Sequence, residues 1–317
     1  MTPALAVEGL TLAIGDSTVV EDVGFRLAPG EVLALVGESG CGKSLTAQAI
    51  MHLLPRAVRQ LCGRVSLAGE VISDYPERRM RQLRGRKLAM IFQEPQAALD
   101  ALATIGAQVA ETTGRPLRRA RADVRSLLAD VGISDPARRI DQYPFELSGG
   151  MCQRAMIASA LIGHPVVLIA DEPTTALDVT IQAQILELLR RLVADRGTAI
   201  LLITHDMGVV ADIADRVAVM YAGRIAETGT AEAIFAAPRH PYTALLLAAL
   251  PRLSHAPKSR LAVIEGRVPT PAEFGAGCRF ADRCPLADAH CVAQQPPLRD
   301  MGDGHRSACW HAERVSA

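Results

Sequence analysis

Residues 31–44 read EVLALVGESGCGKS, and they decide the fold. An apolar run typical of a buried strand leads into a glycine-rich loop, and the loop leads into a helix. From Gly37 to Ser44 the residues match the pattern G-x-x-x-x-G-K-S in the strand-to-helix context that this pattern requires. An incidental glycine-rich turn is the alternative, but the flanking strand and helix favour a loop that binds phosphate.

The chemistry of this loop suits a nucleoside triphosphate. Its glycines allow successive backbone N–H groups to surround phosphate oxygens, and the helix N-terminus adds positive potential. Lys43 is expected to reach the β- and γ-phosphates, and the hydroxyl of Ser44 to coordinate Mg²⁺. The predicted nucleotide-binding residues are Gly37, Glu38, Ser39, Gly40, Cys41, Gly42, Lys43, Ser44 and Leu45.

Two further apolar runs predict a parallel sheet. VVLIA at 166–170 and AILLI at 199–203 are continuous and rich in β-branched residues, as is typical of strands buried on both faces. Between them, residues 180–197 have apolar residues at helical spacing and end at Gly197, as a crossover helix does. The predicted fold class is therefore α/β.

Other regions differ in pattern from this core. Residues 5–36 alternate apolar and polar positions around turn signals at Gly15-Asp16 and Pro29-Gly30, which predicts antiparallel strands. A later stretch is rich in Ala and Arg and helical in period, and after Pro251 the periodicity fades. The predicted parts are a domain at 1–250, a helical subdomain within it at about 96–165, and a cysteine-rich extension at 251–317.

The segment VVLIADEP delivers two carboxylates to the end of a buried strand. Open α/β sheets bind their ligands at this edge. Asp171 is expected in the Mg²⁺ shell, and Glu172 is expected to act as general base on the attacking water. Capping of the next turn would explain one carboxylate but not both. The sequence therefore predicts a nucleoside triphosphatase.

Composition narrows the partners and the location. Apolar residues make up 49% of the chain, and Lys plus Arg equals Asp plus Glu at 34 each, which disfavours a nucleic-acid partner. The longest apolar runs fall short of the roughly 20 residues that cross a bilayer. Because the N-terminus lacks the features of a secretory signal, we expect a cytoplasmic protein without structural disulfides.

A second glycine pair precedes a helical segment in FELSGGMCQR at 145–154. Ser148, Gly149 and Gly150 can form an ordinary helix N-cap or a second anion-binding helix start with a hydroxyl donor. Taken alone, the pattern favours the ordinary cap.

Six motifs together point to one family. GESGCGKS, FQEP, LSGGM, VVLIADEP, TALD and ITHD follow the order and spacing of the ATP-binding-cassette (ABC) ATPases, and the resemblance covers about the first 250 residues. It implies a P-loop fold with a parallel-sheet core, an antiparallel β subdomain and a helical subdomain. It also implies a head-to-tail dimer, in which Ser148, Gly149, Gly150 and Met151 of one subunit close over the ATP held by the other.

The resemblance assigns further roles. Gln93 looks like the glutamine that contacts Mg²⁺ and water, Asp178 like the aspartate at the dimer contact, and His205 like the switch histidine. A neutral imidazole can bridge the γ-phosphate and the base. The implied catalytic residues are Glu172, His205 and Gln93, and the implied Mg²⁺ ligands are Ser44, Gln93 and Asp171.

Two departures from the family pattern stand out. Leu12 and Ile14 lie where the family usually has an aromatic residue that stacks on adenine, so the preference for ATP over GTP is left open. Met151 stands where Gln is commoner, and Cys152 where Arg often follows in the closest subgroup. Neither change removes the backbone amides or Ser148, so we expect activity to survive.

The C-terminal region carries a second resemblance. HPYT at 240–243, GRVPTP at 266–271 and the cysteine-rich remainder resemble the extension on ATPase subunits of dipeptide, oligopeptide and nickel importers. This implies an ATPase of the translocase class at the cytoplasmic face of the cell membrane. The implied partners are a second ATPase (a paralogue or a copy of this chain), two permease subunits and a solute-binding protein. A soluble cassette ATPase acting on DNA or ribosomes is disfavoured, because the chain lacks a second cassette and coiled-coil arms.

Four cysteines in that extension follow the spacing C-x5-C-x6-C-x17-C. Their thiolates could hold a 4Fe–4S cluster or a tetrahedral Zn²⁺, and the lack of C-x2-C pairs favours iron–sulfur, in agreement with the second resemblance. His290 and His305 are possible substitutes for one cysteine, and four unmetallated thiols that serve neither metal are the alternative. A redox or metal sensor is a third interpretation. The predicted ligands are Cys278, Cys284, Cys291 and Cys309.

Overall fold

The computed structural model of the protein describes residues 2–174, 178–250 and 263–315. The strands are β1 (Leu5–Ile14), β2 (Ser17–Leu27), β3 (Val32–Val36), β4 (Val58–Leu67), β5 (Glu70–Val71), β6 (Leu88–Ile91), β7 (Val167–Asp171), β8 (Ala199–Thr204), β9 (Arg216–Tyr221), β10 (Arg224–Thr230), β11 (Arg299–Asp300) and β12 (Arg306–Ser307). The helices are α1 (Lys43–Ile50), α2 (Glu77–Leu83), α3 (Pro95–Ala98), α4 (Ile105–Glu111), α5 (Leu117–Asp130), α6 (Pro136–Arg139), α7 (Gly149–Leu161), α8 (Val179–Arg196), α9 (Met207–Ile213), α10 (Ala231–Ala236), α11 (Pro241–Ala248) and α12 (Ala289–Ala293).

The chain divides into two compact units, and each is described by itself. Unit 1 comprises Met1–Leu5, Leu27–Val32 and Leu67–Ile203, and unit 2 comprises Ala6–Arg26, Leu33–Ser66 and Thr204–Ala317. Within the described residues, every helix is too short or too polar to span a bilayer.

Unit 1 contains a parallel sheet and a group of helices. β7 lies between β6 and β8, and both pairings are parallel. Every residue of β7 is buried, as expected for a strand covered on both faces. α8 ends at Gly197, whose φ of 63° is the left-handed conformation that glycine adopts most easily. The predicted strands and crossover helix are therefore confirmed.

The helices α4 to α7 occupy most of the predicted helical region. The chain turns between these helices at Gly114 and Gly132, both with positive φ. α4, α5 and α7 pack together through buried apolar residues, among them Val109, Leu128 and Ile157. The helical content is confirmed, and the exact limits of a subdomain at 96–165 stay a prediction.

Unit 2 contains two sheets. β1 and β2 form a hairpin around Gly15 and Asp16, as predicted, and β4 lies on the other side of β1. In the second sheet β3 pairs with β9 in parallel, whereas β9–β10, β10–β12 and β11–β12 are antiparallel. The parallel pair places Val36, at the end of β3, opposite Val219, so the phosphate loop starts beside the last residues of β9.

The cysteine-rich region shares the core of unit 2. Phe280 is 1% exposed and packs with Tyr221 and Tyr242, and β12 extends the sheet by pairing with β10. The segment thus folds onto the sheet that ends at the phosphate loop. The boundary predicted after residue 250 adjoins 251–262, which lie outside the described residues, and it stays a prediction.

Candidate functional site

The phosphate loop leaves β3, whose five residues are buried, and ends where α1 begins at Lys43. Gly42, the residue before the helix, has φ 103°, which an L side chain rarely adopts. A Cβ on Gly37 would overlap the carbonyl oxygen of Met220. Glycine is therefore required at Gly42 for its backbone angle and at Gly37 for space.

Lys43 lies inside this loop. Its side chain is buried, and Nζ donates hydrogen bonds to the carbonyl oxygens of Gly37 at 2.7 Å and Glu38 at 3.0 Å. Burial raises the pKa of the neighbouring Cys41 thiol, so Cys41 serves as a neutral packing group. The ammonium is thus held by two carbonyl oxygens of the loop, and it is the positive charge that a phosphate bound in the loop would meet.

The two predicted carboxylates lie at the end of β7 in unit 1. Asp171 is 3% exposed and closes the strand, and Glu172 follows with φ 49°. The Glu172 N–H donates to the Ile203 carbonyl at 2.9 Å. A left-handed glutamate costs roughly 1–2 kcal/mol, and such strain is concentrated at functional sites because it fixes where a side chain points.

Gln93 contacts the predicted base directly. It follows β6, the strand parallel to β7, so both residues lie at the same edge of the sheet. Gln93 Nε2 donates to Glu172 Oε2 at 3.2 Å. The structure therefore brings together two residues that the sequence motifs place 79 positions apart.

The second glycine pair begins α7. Ser148 is the N-cap, and its hydroxyl accepts a hydrogen bond from the Met151 N–H at 3.3 Å. Gly149 is exposed, and a Cβ there would meet no atom within 4 Å. Cys152 is buried with Sγ against the Pro144 carbonyl at 3.4 Å, so this departure from the family pattern leaves the exposed helix start unchanged.

The remaining motif residues begin two other helices. Asp178 caps α8 by accepting from the Ile181 N–H at 3.0 Å, while residues 175–177 of TALD lie outside the described residues. His205 is exposed in unit 2, directly after β8 and before Asp206, which caps α9. Leu12 is buried and Ile14 is 43% exposed, so of the two positions only Ile14 offers apolar surface.

The four C-terminal cysteines are free thiols close enough to influence one another. Burial, followed by repulsion from Cys284, Cys278 and Cys291, raises the pKa of Cys309 to about 12. Burial likewise raises the pKa of Cys278 to about 11. The N–H of Cys278 donates to the Cys291 carbonyl at 2.7 Å. The spacing of the cysteines along the chain thus brings all four into one region.

The histidines near these cysteines are not the ones that the sequence suggested. His305 Nε2 lies 2.6 Å from the buried carboxylate of Glu227, and the ring of His290 packs on Trp310. Among the described residues, one group of three side chains has all its metal-ligand atoms within 4.8 Å of one another, namely Asp288, Cys291 and His311. Sequence reasoning missed His311 and Asp288, and the acidic helix cap before Cys291 was the available signal.

Two family models match the chain. Residues 20–175 match the model described as ABC transporter, and residues 226–291 match the model described as oligopeptide/dipeptide transporter, C-terminal region. The second match begins in β10 and includes the first three cysteines.

Curated relatives align over nearly the whole chain. A protein of Sinorhizobium fredii named as a peptide ABC transporter ATP-binding protein is 47% identical and covers 97% of this chain and 92% of its own length. A protein of Brucella ovis named as a peptide import ATP-binding protein is 46% identical and covers 99% of both chains.

Solved structures with the same fold are ABC cassettes. The bacterial ABC transporter cassette MJ0796, solved as a dimer, superposes with a TM-score of 0.65 at 25% identity over 72% of this chain and 98% of its own. CbiO1 of Clostridium perfringens, part of the ABC transporter complex cbiONQ, gives 0.63 at 29% identity over 74% of this chain and 92% of its own. The chain therefore belongs to the ABC transporter ATPases, in the group that carries the oligopeptide/dipeptide transporter C-terminal region.

Proposed function

We propose that this chain is the ATP-hydrolysing subunit of a bacterial importer for peptides or related small solutes. The observation that carries the proposal is the contact between Gln93 and Glu172 beside the buried Asp171, at the sheet edge where P-loop proteins bind their ligand. The names of the curated relatives support the peptide class.

The loop at 37–45 would bind the ATP phosphates. Backbone amides of the loop donate to phosphate oxygens, and the Lys43 ammonium neutralises the β- and γ-phosphates. The hydroxyl of Ser44, the amide of Gln93 and the carboxylate of Asp171 offer the oxygen donors that Mg²⁺ prefers, and the bound ion would supply charge neutralisation of the phosphates.

Hydrolysis would then depend on Glu172. Its carboxylate accepts a proton from the attacking water. Gln93 orients the carboxylate and the water, because its amide already donates to Glu172 Oε2. His205, placed after β8, would bridge the γ-phosphate and the base through its imidazole ring.

A second ATPase subunit, a paralogue or a copy of this chain, would complete the site. Ser148 and Gly149 are exposed and Gly150 and Met151 half-buried at the start of a helix, a place whose positive potential suits the ATP of a facing subunit. Asp178 would lie at the same contact. The dimeric solved cassette supports this arrangement.

Closure of the ATPase dimer would move two permease subunits in the membrane. This chain would lie at the cytoplasmic face of the membrane, and a solute-binding protein would lie beyond the permeases. The region after Gln93 carries large exposed apolar residues, Leu102 at 89% and Phe145 at 74%. Exposed apolar groups of this size favour a protein contact. We place the permease contact on this part of the helical subdomain, within a nucleotide-binding domain at 1–250.

The extension at 251–317 would carry a 4Fe–4S cluster on Cys278, Cys284, Cys291 and Cys309. In a tetrahedral zinc site the sulfurs lie about 3.8 Å apart, since Zn–S bonds are about 2.3 Å. Within the described residues, the group of three ligand atoms that lie within 4.8 Å of one another contains one cysteine, Cys291, with Asp288 and His311. The four sulfurs therefore do not form such a group with one another. Four thiols that share one region at wider spacing favour a larger group, and its positive charge would offset the cost of ionising buried thiols.

Substitution of Glu172 by Gln tests the ATPase assignment. Glu172→Gln should lower turnover by at least about a hundredfold while ATP affinity is kept, because the general base is lost and the phosphate contacts remain. Glu94→Gln, which changes the exposed carboxylate directly after Gln93 in unit 1, is the matched control and should retain turnover. Normal hydrolysis by Glu172→Gln would contradict the assignment.

Iron analysis tests the cluster. Protein purified without oxygen should contain about four iron ions per chain and absorb visible light, and Cys284→Ser should lose most of both. A colourless, iron-free protein that folds normally would end the cluster proposal, and stoichiometric zinc would replace it with the single-ion alternative.

A further inference from the structure

Arg283, from the cysteine-rich region, reaches the phosphate loop within unit 2. Its side chain is 5% exposed and forms a bidentate ion pair with Glu38, with Nη1–Oε2 at 2.6 Å and Nη2–Oε1 at 3.0 Å. The other hydrogen bonds of the guanidinium go to the carbonyls of Glu265 and Ile264 and to the hydroxyl of Tyr221. Five hydrogen bonds fix the guanidinium, and two of them hold one loop residue.

The main chain of Glu38 is held as well. Its N–H donates to the Tyr242 hydroxyl at 2.8 Å. Tyr242 is fully buried in α11, with its ring 4.6 Å from Tyr221 and 5.4 Å from Phe280, two residues after Cys278. Both the backbone and the side chain of Glu38 are thus fixed by residues more than 200 positions later in the chain.

Glu38 in turn contacts the lysine of the loop. Lys43 Nζ donates to the Glu38 carbonyl at 3.0 Å. A glycine-rich loop has few side chains of its own to hold its shape, and Gly37 and Gly40 flank Glu38 and Ser39. The position of Glu38 therefore sets the position of backbone groups that surround the ammonium.

We propose that Arg283 and Tyr242 are positioning residues for the phosphate loop, so that affinity for ATP depends on how the segment from Cys278 to Cys284 is folded. The inference rests on the proposed role of residues 37–45. Because Arg283 directly precedes Cys284, a change in the path of this segment moves the guanidinium, and with it Glu38. The cysteine-rich region would then adjust nucleotide binding in the subunit that carries it.

Paired substitutions in the full-length chain test this coupling. Arg283→Gln and Glu38→Gln should each raise KM for ATP and the Kd of a fluorescent ATP analogue about tenfold, with kcat at saturating ATP changed less than about twofold. The double variant should resemble each single variant, because both remove the same contact. Arg283→Lys should recover part of the affinity, since it keeps the charge but not the bidentate geometry.

Two controls separate the possible failures. Arg267→Gln removes an exposed arginine that pairs with Glu273 in the same region, and it should leave KM unchanged. Lys43→Ala should abolish ATP binding if the loop has its proposed role. Retained binding by Lys43→Ala would overturn the loop assignment itself. The positioning role alone would be overturned if Lys43→Ala lost ATP binding but folded Glu38→Gln kept a normal KM. Additive effects in the double variant would overturn it as well.

Where Arg283→Gln fails to fold, Glu38→Gln and Tyr242→Phe carry the test. Glu38 is partly exposed, and Tyr242→Phe removes only the acceptor of the Glu38 N–H. A raised KM in both, with unchanged melting temperature, supports the proposal. An unchanged KM in both overturns it.

Discussion

The two glycine-rich helix starts of this protein are built in opposite ways. At α1, in unit 2, two of the loop glycines are enclosed: a Cβ on Gly42 would meet Val20 and Met220, one on Gly37 would overlap the Met220 carbonyl, and Lys43 beside them is buried. At α7, in unit 1, Gly149 is exposed with open space around its Cα, and the Ser148 side chain caps the helix. One start is a closed socket and the other an open surface.

This difference shows how much each start depends on the rest of its own chain. The socket at α1 is shaped by Met220 and Val20 from neighbouring strands and by Arg283 and Tyr242 from the C-terminal region. The helix start at α7 is capped by its own residue. In the roles proposed above, the start of α1 holds the phosphates of its own subunit within an enclosing wall, whereas the start of α7 meets a phosphate held by the partner and uses an exposed surface.

The largest expected effect comes from adding a methyl group at Gly37. Gly37→Ala forces the loop away from Met220, and a displacement of about 1 Å should weaken ATP binding at least about a hundredfold. It should also lower the free energy of unfolding by about 1–3 kcal/mol, because the added group overpacks the site. Equilibrium titration with an ATP analogue and urea unfolding measure the two quantities.

Gly149→Ala is the matched comparison. Alanine fits there and favours the helix, so the free energy of unfolding should rise by a few tenths of a kcal/mol and ATP binding to the isolated chain should not change. If Gly149→Ala destabilised the protein as much as Gly37→Ala, the contrast between the enclosed and the open helix start would be wrong.

Local pattern was sufficient for much of this architecture. The phosphate loop, β7 and β8, the helix that ends at Gly197 and the Ser148 cap are each coded within a few consecutive residues, so the sequence predicts them. The contact between Gln93 and Glu172 was not predicted: the resemblance assigned both residues to one nucleotide site without pairing them. They meet because β6 and β7 are parallel neighbours that end at one edge of the sheet.

The supports of the socket could not be found in this way. Arg283 and Glu38 lie 245 positions apart, and neither the periodicity nor the cysteine spacing indicates that they meet. His311 was missed for the same reason, since its proximity to Asp288 and Cys291 depends on how the chain folds back after α12, whereas Asp288 is a local helix cap whose signal was available. Long-range polar contacts leave no repeat in the sequence, although they decide which loop atoms are held.

A further expected effect concerns the pH dependence of stability and the helix that carries Tyr242. His240 caps α11 by accepting the Tyr242 N–H at Nδ1 at 3.1 Å, which fixes a neutral tautomer in a fully buried place. Burial lowers the pKa of His240 from 6.5 to about 4, although the buried Glu227, which also contacts His305, opposes the shift. The unfolded chain therefore binds a proton on His240 below about pH 6.5, and the folded chain does so only near pH 4.

Because the unfolded state binds more protons in this window, the free energy of unfolding should fall as the pH drops from 6.5 to 4, by about 3 kcal/mol from this residue. His240→Asn keeps a side-chain acceptor for the helix cap but cannot titrate, so its stability should decline less over the same range. Urea unfolding of both proteins between pH 7 and pH 4 measures the difference. Parallel curves would show that protonation of His240 does not affect the stability of the protein. The pH dependence would then come from the carboxylates that both proteins share.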